Sequence, residues 1–303
     1  MTFELTILGS SSALPTSTRY PSAHVLNVHE RFFLIDCGEG TQMQIRKYRI
    51  KFGRIHHIFI SHLHGDHVFG LYGLLSSMNL SGRVSPLRLY APVGFDGILH
   101  SHLSDFNIHL NFDIDFVPLV GKDPVKVYED KNMSVVSFPL KHRVPAFGFL
   151  FREKERERNI IREAITRYII PLAEIPKIKQ GSDFITPDGE RIPNSEISTE
   201  PPKPRSFAYC SDTAYFKRLS VFVRGVDLLY HEATFAGDNE DLAVKTGHST
   251  AGQAAITARE AGAGRLLIGH FSARYREVTI LLEEARKIFP ETIAAEEGSV
   301  IQV

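Results

Sequence analysis

The segment that decides the fold is residues 55–67, with the sequence IHHIFISHLHGDH. Its first half, through Ile60, is rich in the β-branched and aromatic residues that form a buried strand. Four polar side chains follow within six positions: His62, His64, Asp66 and His67. Neutral imidazole and carboxylate are ligands that zinc accepts, and alternate residues at a strand end project towards one point. We therefore expect the first two to bind one divalent ion and the last two a second. The alternative is a run of surface histidines on a loop.

Four later predicted strands also end at a residue able to bind a metal: His142, Asp212, His231 and His270. One such residue at a strand end is usually a capping or solvent-facing group. Four of them beside the central cluster favour a shared site, because sheet geometry places strand ends along one edge. For His231 the sequence leaves open either a structural hydrogen bond or support of the ligands.

The composition is that of an ordinary globular protein of 303 residues. Its 35 basic side chains equal its 35 acidic ones, so nucleic-acid binding would need a local basic patch. The two cysteines, Cys37 and Cys210, form no disulfide framework and are interpreted as core residues. We expect no signal peptide, because the first residues contain neither a basic region nor a small-residue cleavage site. No apolar run approaches the roughly 20 residues that span a bilayer. We expect a cytoplasmic protein without membrane contact.

Strands and helices alternate along the chain, which predicts the α/β class with one domain formed by residues 1–150 and 205–303. Predicted helices include 42–48, 68–79 and 251–261, the last capped by Ser249 or Thr250. Asp36 is interpreted as a turn or helix N-cap residue, with support of the metal histidines as an added role.

Residues 151–204 differ in character and are predicted to be an inserted arm. Between Lys141 and Lys179 the chain carries ten basic and five acidic residues. A solvated helix with internal ion pairs would explain the alternating charges of residues 152–158. The other interpretation is an arm that grips a phosphate backbone.

The pattern His-x-His-x-Asp-His after an apolar strand resembles the metallo-β-lactamase superfamily. Further blocks resemble the bacterial ribonuclease Z family, endonucleases that remove 3′ trailers from precursor tRNA. These blocks are GSSSALP at 9–15, DCGEGTQ at 36–42, KHRVPAFGF at 141–149, SDT at 211–213, HEATF at 231–235, GHST at 247–250 and HFSARY at 270–275. Residues 170–181 lack the Gly-Pro pair that is usual at the tip of that family's arm.

The resemblance implies a metallo-β-lactamase αββα sandwich with a protruding arm insertion, and two Zn²⁺ per subunit. One ion would be held by His62, His64 and His142, the other by Asp66, His67 and His270, with Asp212 bridging. It also implies a homodimer in which the arm of one subunit holds precursor tRNA for the other.

The expected chemistry is attack by a zinc-bound hydroxide, with Asp66 as the proton acceptor. His248 is the candidate proton donor to the leaving 3′ oxygen, and Glu232 would orient it and keep it protonated. The products would be a tRNA 3′-hydroxyl and a trailer 5′-phosphate. Arg274 is expected to bind a substrate phosphate, unless it forms a structural pair with a carboxylate. Ser272 and Arg143 complete the expected substrate contacts.

Two other functions remain open from the sequence. A small-molecule phosphodiesterase or aryl sulfatase would use the same ligands, although the basic arm argues against it. A non-catalytic RNA-binding protein would need a closed structural site, and seven ligands for two ions leave positions open.

Overall fold

The computed structural model describes residues 2–303. Its strands are β1 Phe3–Gly9, β2 Ser11–Ser12, β3 Ala23–Val28, β4 Arg31–Cys37, β5 Ile55–Phe59, β6 Leu87–Pro92, β7 Ile114–Leu119, β8 Val125–Glu129, β9 Met133–Pro139, β10 Phe147–Glu153, β11 Asn159–Ile160, β12 Phe184–Ile185, β13 Arg191–Ile192, β14 Ser198–Thr199, β15 Ser206–Cys210, β16 Leu228–Glu232, β17 Arg265–Gly269, β18 Phe271–Ser272, β19 Thr292–Ala294 and β20 Val300–Gln302. Its helices are α1 Thr41–Lys47, α2 Gly65–Val68, α3 Gly70–Leu80, α4 Phe95–Asp105, α5 Arg162–Arg167, α6 Ile175–Lys179, α7 Asn194–Ile197, α8 Leu219–Phe222, α9 Glu240–Thr246, α10 Ala251–Ala261 and α11 Thr279–Arg286.

Two mixed sheets form the larger part of the chain. The first has the strand order β20-β1-β3-β4-β5-β6-β7, and the second has the order β19-β17-β16-β15-β10-β9-β8. Strands β15, β16, β17 and β19 run parallel to one another. Their carboxyl ends therefore lie at one edge of the second sheet, as the sequence predicted for the candidate ligands.

The two sheets pack face to face through aromatic side chains. Phe59 on β5 contacts Phe149 and Phe151 on β10, with ring centroids 5.1 and 5.4 Å apart. On the opposite face of the first sheet, α1, α3 and α4 bury an apolar cluster that includes Ile45, Leu74 and Leu99. Helix α10 covers β16 and β17 of the second sheet. These layers agree with the predicted αββα sandwich.

The predicted helix at 251–261 is present with those bounds, and Thr250 caps it by accepting from the backbone N–H of Gln253. The predicted helix at 68–79 is divided: α2 ends at Val68 and α3 begins at Gly70. A side chain at Gly70 would collide with the carbonyl oxygen of Gly38, since an added Cβ would lie 1.9 Å from it. The glycine thus lets α3 start close against the loop after β4.

The chain divides into two compact units. One comprises the residues up to Glu129, Ser134–Phe151 and Arg205–Val303, and the other comprises Asp130–Met133 and Arg152–Pro204. The second unit has its own apolar core, which includes Ile170, Ile178 and Ile197. Within it, β11 pairs with β14 and β12 pairs with β13.

The interpretation of residues 152–158 as a helix with internal ion pairs is wrong. Strand β10 continues to Glu153, and the chain enters its next helix only at Arg162. Glu153 is 95% buried, so this stretch is not a freely solvated face. Among residues 2–303, no helix has the length and apolar character required to cross a bilayer.

Candidate metal centre

The candidate ligands lie on short segments that leave strand ends. His62 and His64 follow β5, and α2 carries Asp66 and His67. His142, Asp212 and His270 follow β9, β15 and β17. All seven predicted ligands are thereby brought together, although they come from four separate parts of the chain.

The first group is formed by His62, His64 and His142. Nε2 of His62 lies 3.0 Å from Nδ1 of His64, and Nε2 of His142 lies 3.3 Å from the same nitrogen. Oδ2 of Asp212 faces this group, at 3.4 Å from Nε2 of His62 and 3.8 Å from Nε2 of His142.

The second group is formed by Asp66, His67 and His270. The Nε2 atoms of the two histidines are 3.2 Å apart, and each lies 3.5 Å from Oδ2 of Asp66. The other oxygen of Asp212, Oδ1, is 3.2 Å from Nε2 of His67 and 3.1 Å from Nε2 of His270. Asp212 therefore faces both groups, one carboxylate oxygen to each.

Hydrogen bonds on the far side of the rings determine which nitrogens point into the centre. His67 donates from Nδ1 to Asp36 at 2.8 Å. Thr234 donates its hydroxyl to Glu232 at 2.6 Å, so it accepts from Nδ1 of His270 at 2.9 Å. In the neutral state that a metal ligand requires, both Nε2 atoms then carry lone pairs that face each other. Such an arrangement is repulsive unless a cation lies between them, so the donor set fits a divalent metal.

His142 is fixed in the same way by a backbone carbonyl. Helix α9 ends at Thr246, and Gly247 follows in the left-handed region with φ of 78°. Its carbonyl oxygen accepts from Nδ1 of His142 at 2.8 Å, which directs Nε2 towards the first group. The glycine of the GHST block therefore acts on a ligand as well as ending a helix.

Asp36 is not a helix N-cap, because Gly40 occupies that position of α1. The carboxylate is fully buried at the end of β4 and accepts from Ser61, His67 and Tyr209. From the sequence, support of the metal histidines was only an added role for Asp36. The contact with His67 makes it the role that the structure supports.

The histidines and carboxylates of the centre shift the pKa values of one another. Burial alone would lower the pKa of His67, but Asp212, Asp66 and Asp36 raise it well above its usual value. Burial would raise the pKa of Asp66, but His67 and a hydrogen bond from His270 hold it far below its usual range. The centre thus keeps its carboxylates ionised, as ligands of a cation must be.

His248 lies beside this centre and is bound to Glu232. Its Nδ1 is 3.0 Å from Oε1 of Glu232 and 3.9 Å from Oδ2 of Asp212. Burial, which would lower the pKa of His248, is outweighed by these two carboxylates, which raise it to about 9. Glu232 is held in turn by the backbone N–H groups of Thr213 and Ser249. The predicted orientation of His248 by Glu232 agrees with this geometry.

Two of the predicted substrate residues, Arg143 and Arg274, are exposed, and the third, Ser272, is half-buried. The guanidinium of Arg274 lies 5.4 Å from the ring centre of Phe235, and its Nε donates to Oγ of Ser272 at 3.3 Å. Phe235 also packs against His248, at 6.1 Å between ring centres. Within residues 2–303, Arg274 has no carboxylate partner, so the structural ion pair considered from the sequence is absent. Arg143 donates to the carbonyl of Lys245 at 2.7 Å.

His231 is buried and belongs to none of the groups of candidate ligands. Its Nδ1 donates to the carbonyl oxygen of Glu232 at 2.7 Å. The structural alternative that the sequence left open therefore fits its contacts.

Sequence reasoning missed the residues that hold the ligands from behind: Ser61, Tyr209, Thr234 and Gly247. Thr234 and Gly247 lie inside blocks that were already singled out, so those blocks contained a signal. Ser61 lies within the central stretch 55–67 and reaches Asp36 because β4 and β5 are neighbours in the first sheet. Tyr209 had no such signal, because its hydroxyl reaches Asp36 only after the two sheets pack together.

Comparison with known proteins gives both partial and full-length matches. A family described as the anti-Pycsar protein Apyc1 matches residues 3–111, and a beta-lactamase superfamily domain matches residues 199–271. The chain is 46% identical over 301 residues to ribonuclease Z of Bacteroides thetaiotaomicron, covering 99% of this chain and 95% of that protein. It is 48% identical over 301 residues to ribonuclease Z of Bacteroides fragilis, covering 99% of each. The chain belongs to the ribonuclease Z family.

The fold leads to the same family. The crystal structure of human tRNase Z, short form, matches with a TM-score of 0.72 and 30% identity over 99% of each chain. The resemblance to ribonuclease Z inferred from the sequence blocks and the metallo-β-lactamase fold are therefore both confirmed. Members of the ribonuclease Z family are endoribonucleases, and their metallo-β-lactamase fold is one that uses divalent metals.

Proposed function

We propose that this protein removes the 3′ trailer from precursor tRNA, leaving a 3′-hydroxyl on the tRNA and a 5′-phosphate on the trailer. The observation that carries the proposal is the position of Asp212. Its two oxygens face two separate groups of histidines in a chain of the ribonuclease Z family. That arrangement suits a pair of cations next to a scissile phosphate.

The proposed cofactor is two Zn²⁺ per subunit. His62, His64 and His142 would hold one ion, Asp66, His67 and His270 the other, and Asp212 would bridge them. A bound pair of such ions would lower the pKa of water towards neutrality and offset the negative charge of the phosphate. Imidazole and carboxylate ligands favour zinc among the common hard and borderline ions.

Asp66 is the proposed acceptor of the proton that the attacking water releases. Its Oδ2 accepts from the backbone N–H of Ala13 at 2.8 Å, which fixes the direction of the carboxylate. The GSSSALP block therefore contributes by orienting Asp66.

His248 is the proposed donor of a proton to the leaving ribose oxygen. Because Nδ1 is committed to Glu232, Nε2 is the nitrogen that presents the proton, and His248 is not needed as a ligand. A pKa of about 9 keeps the imidazole protonated at neutral pH. Arg274, Ser272 and Arg143 are proposed to contact the RNA phosphates.

The second unit is the proposed RNA-binding arm, and the protein is proposed to act as a homodimer. In this arm, basic residues exceed acidic ones only in the first half, where residues 152–179 contain eight basic and five acidic side chains. Arg162, Arg167 and Lys179 form no ion pair within residues 2–303. Phosphate contacts are therefore expected from α5 and α6.

The first test is cleavage of a precursor tRNA that has a 3′ trailer, with metal quantified in every sample. Wild type should cut once at the trailer junction, and Asp66→Ala should lose at least about 10³-fold in rate while still binding tRNA. Asp115→Ala removes a half-exposed carboxylate on β7, the edge strand of the first sheet, and should cut normally. A zinc-loaded wild type that hydrolyses a small phosphodiester but leaves the precursor intact would contradict the proposal.

A further inference from the structure

His24 is a buried histidine between the two sheets that none of the proposed chemistry uses. It lies on β3, in register with Ile7 of β1 and Ile35 of β4. Its ring packs against two tyrosines of the second sheet. The ring centres are 5.3 Å from that of Tyr209 and 4.7 Å from that of Tyr230.

Stability alone does not explain a histidine at this position. Neither ring nitrogen of His24 has a hydrogen-bond partner within residues 2–303, and the hydroxyl of Tyr230 has none either. Burial lowers the pKa of His24 to about 3, so the ring is neutral. A buried polar group without a partner destabilises a protein relative to an apolar residue of similar size.

Each tyrosine leads to one ligand of the second group. Tyr209 donates its hydroxyl to Oδ2 of Asp36 at 2.7 Å, and the same oxygen accepts from Nδ1 of His67 at 2.8 Å. The hydroxyl of Tyr230 lies against Gly269, where an added Cβ would be only 2.4 Å from it. His270 follows directly and is in the left-handed region, with φ of 59°.

We propose that His24 is a positioning residue for the metal group of Asp66, His67 and His270. Its flat ring sets the positions of Tyr209 and Tyr230, which in turn set those of His67 and His270. The route to the first group is longer by one residue, because Asp36 reaches His62 only through Ser61, whose hydroxyl donates to Asp36 at 2.9 Å and lies 3.0 Å from Nδ1 of His62. The inference rests on the proposed metal centre and extends it to a residue outside the ligand shell.

The test measures zinc affinity by chelator competition in two parent variants that each weaken one group. In the His64→Ala parent, His24→Leu should bind the remaining ion about tenfold more weakly, the lower end of the range for outer-shell residues. In the His270→Ala parent, the same change should weaken zinc binding less, because the route from Asp36 to His62 passes through the additional residue Ser61. Tyr209→Phe should reproduce the selective loss of zinc affinity, since it removes only the hydroxyl that donates a hydrogen bond to Asp36.

His57→Leu is the matched control, because His57 also packs between tyrosines, with ring centres 6.0 Å from Tyr90 and 4.7 Å from Tyr128. It should leave zinc affinity unchanged in both parents. The melting temperature of metal-free His24→Leu should not fall below that of its parent. A loss of zinc affinity would then come from misplaced ligands and not from a less stable fold. His24→Phe retains an aromatic ring and should lie closer to its parent in affinity than His24→Leu.

The inference would be overturned if adding His24→Leu to the His64→Ala parent left its zinc affinity unchanged. It would also be overturned if His24→Leu lowered zinc affinity equally in both parents. These results differ from a failure of the proposed function. In that case the otherwise unaltered protein would bind no zinc or cut no precursor tRNA.

Discussion

The buried Glu232 and the half-buried His248 form a pair in which Oε1 of the glutamate lies 3.0 Å from Nδ1 of the histidine. The carboxylate is fully buried and its remaining hydrogen bonds come from backbone and threonine donors, so its direction is fixed. Because only Nδ1 of His248 is used, its Nε2 remains for the substrate. In the proposed mechanism, this pair keeps proton donation separate from metal binding.

His248→Ala should lower kcat for precursor tRNA by about 10²–10⁴-fold, because the leaving oxygen loses its proton donor. Metal content, measured on the same sample, should equal that of wild type. His142→Ala is the comparison, since loss of a ligand should lower both metal content and rate. Loss of metal from His248→Ala would show that this residue is a ligand instead.

Glu232→Gln should move the alkaline limb of the kcat–pH profile to lower pH. The pKa of His248 is raised to about 9, so the protonated donor is present below that pH and is lost as the pH rises through it. Removing the carboxylate lowers this pKa towards the usual value of about 6.5. Glu284→Gln is the control, because Glu284 accepts from the backbone N–H groups of Gly237 and Gly252 and not from His248. An unchanged limb in Glu232→Gln would exclude His248 as the titrating donor.

Asp36→Asn should weaken metal binding by about 10–100-fold, as loss of an outer partner of a ligating histidine does. His67 would lose both the acceptor of its Nδ1–H and one of the three carboxylates that raise its pKa. Chelator competition measures this directly. Asp227→Asn removes acceptors of the Ser206 backbone and hydroxyl and should lower stability without altering metal affinity. Equal metal affinity of Asp36→Asn and wild type would contradict this role.

Replacing Arg162, Arg167 and Lys179 by alanine should weaken precursor tRNA binding and reduce its salt dependence, because fewer counterions are released. Hydrolysis of a small phosphodiester should remain at the wild-type rate. Arg218→Ala, an exposed arginine of the first unit paired with Asp123, is the control and should change neither property. Equal losses on both substrates would mean that the second unit supports the fold and not RNA binding.

The same triple variant tests whether the arm serves the partner subunit. Mixed and reassembled with Asp66→Ala subunits, it should regain part of the precursor tRNA activity, because a mixed dimer has one intact arm and one intact centre on different chains. No recovery in a mixture shown to contain mixed dimers would place the arm and the centre on the same chain.

Much of the local structure was predictable because it depends on neighbours in the chain. The helix at Ala251–Ala261 follows from an alanine-rich segment with a capping threonine, and its bounds matched. The helix considered as one alternative at 152–158 is absent, because charge alternation does not distinguish a helix from an extended segment whose Glu153 is buried. Asp36 was interpreted as a turn or N-cap residue because a carboxylate shortly before glycines and a predicted helix is typical of such positions.

The sequence by itself determined the ligand types, the family and the fold class, since these depend on residue identity and spacing along the chain. Only the tertiary structure decided which oxygen of Asp212 faces which group, which nitrogen of each histidine is free, and which residues support the ligands. Tyr209 reaches Asp36, although 173 positions separate them, because the two sheets pack against each other. A hydrogen bond acts over about 3 Å, so its partners are determined by packing and not by distance along the chain.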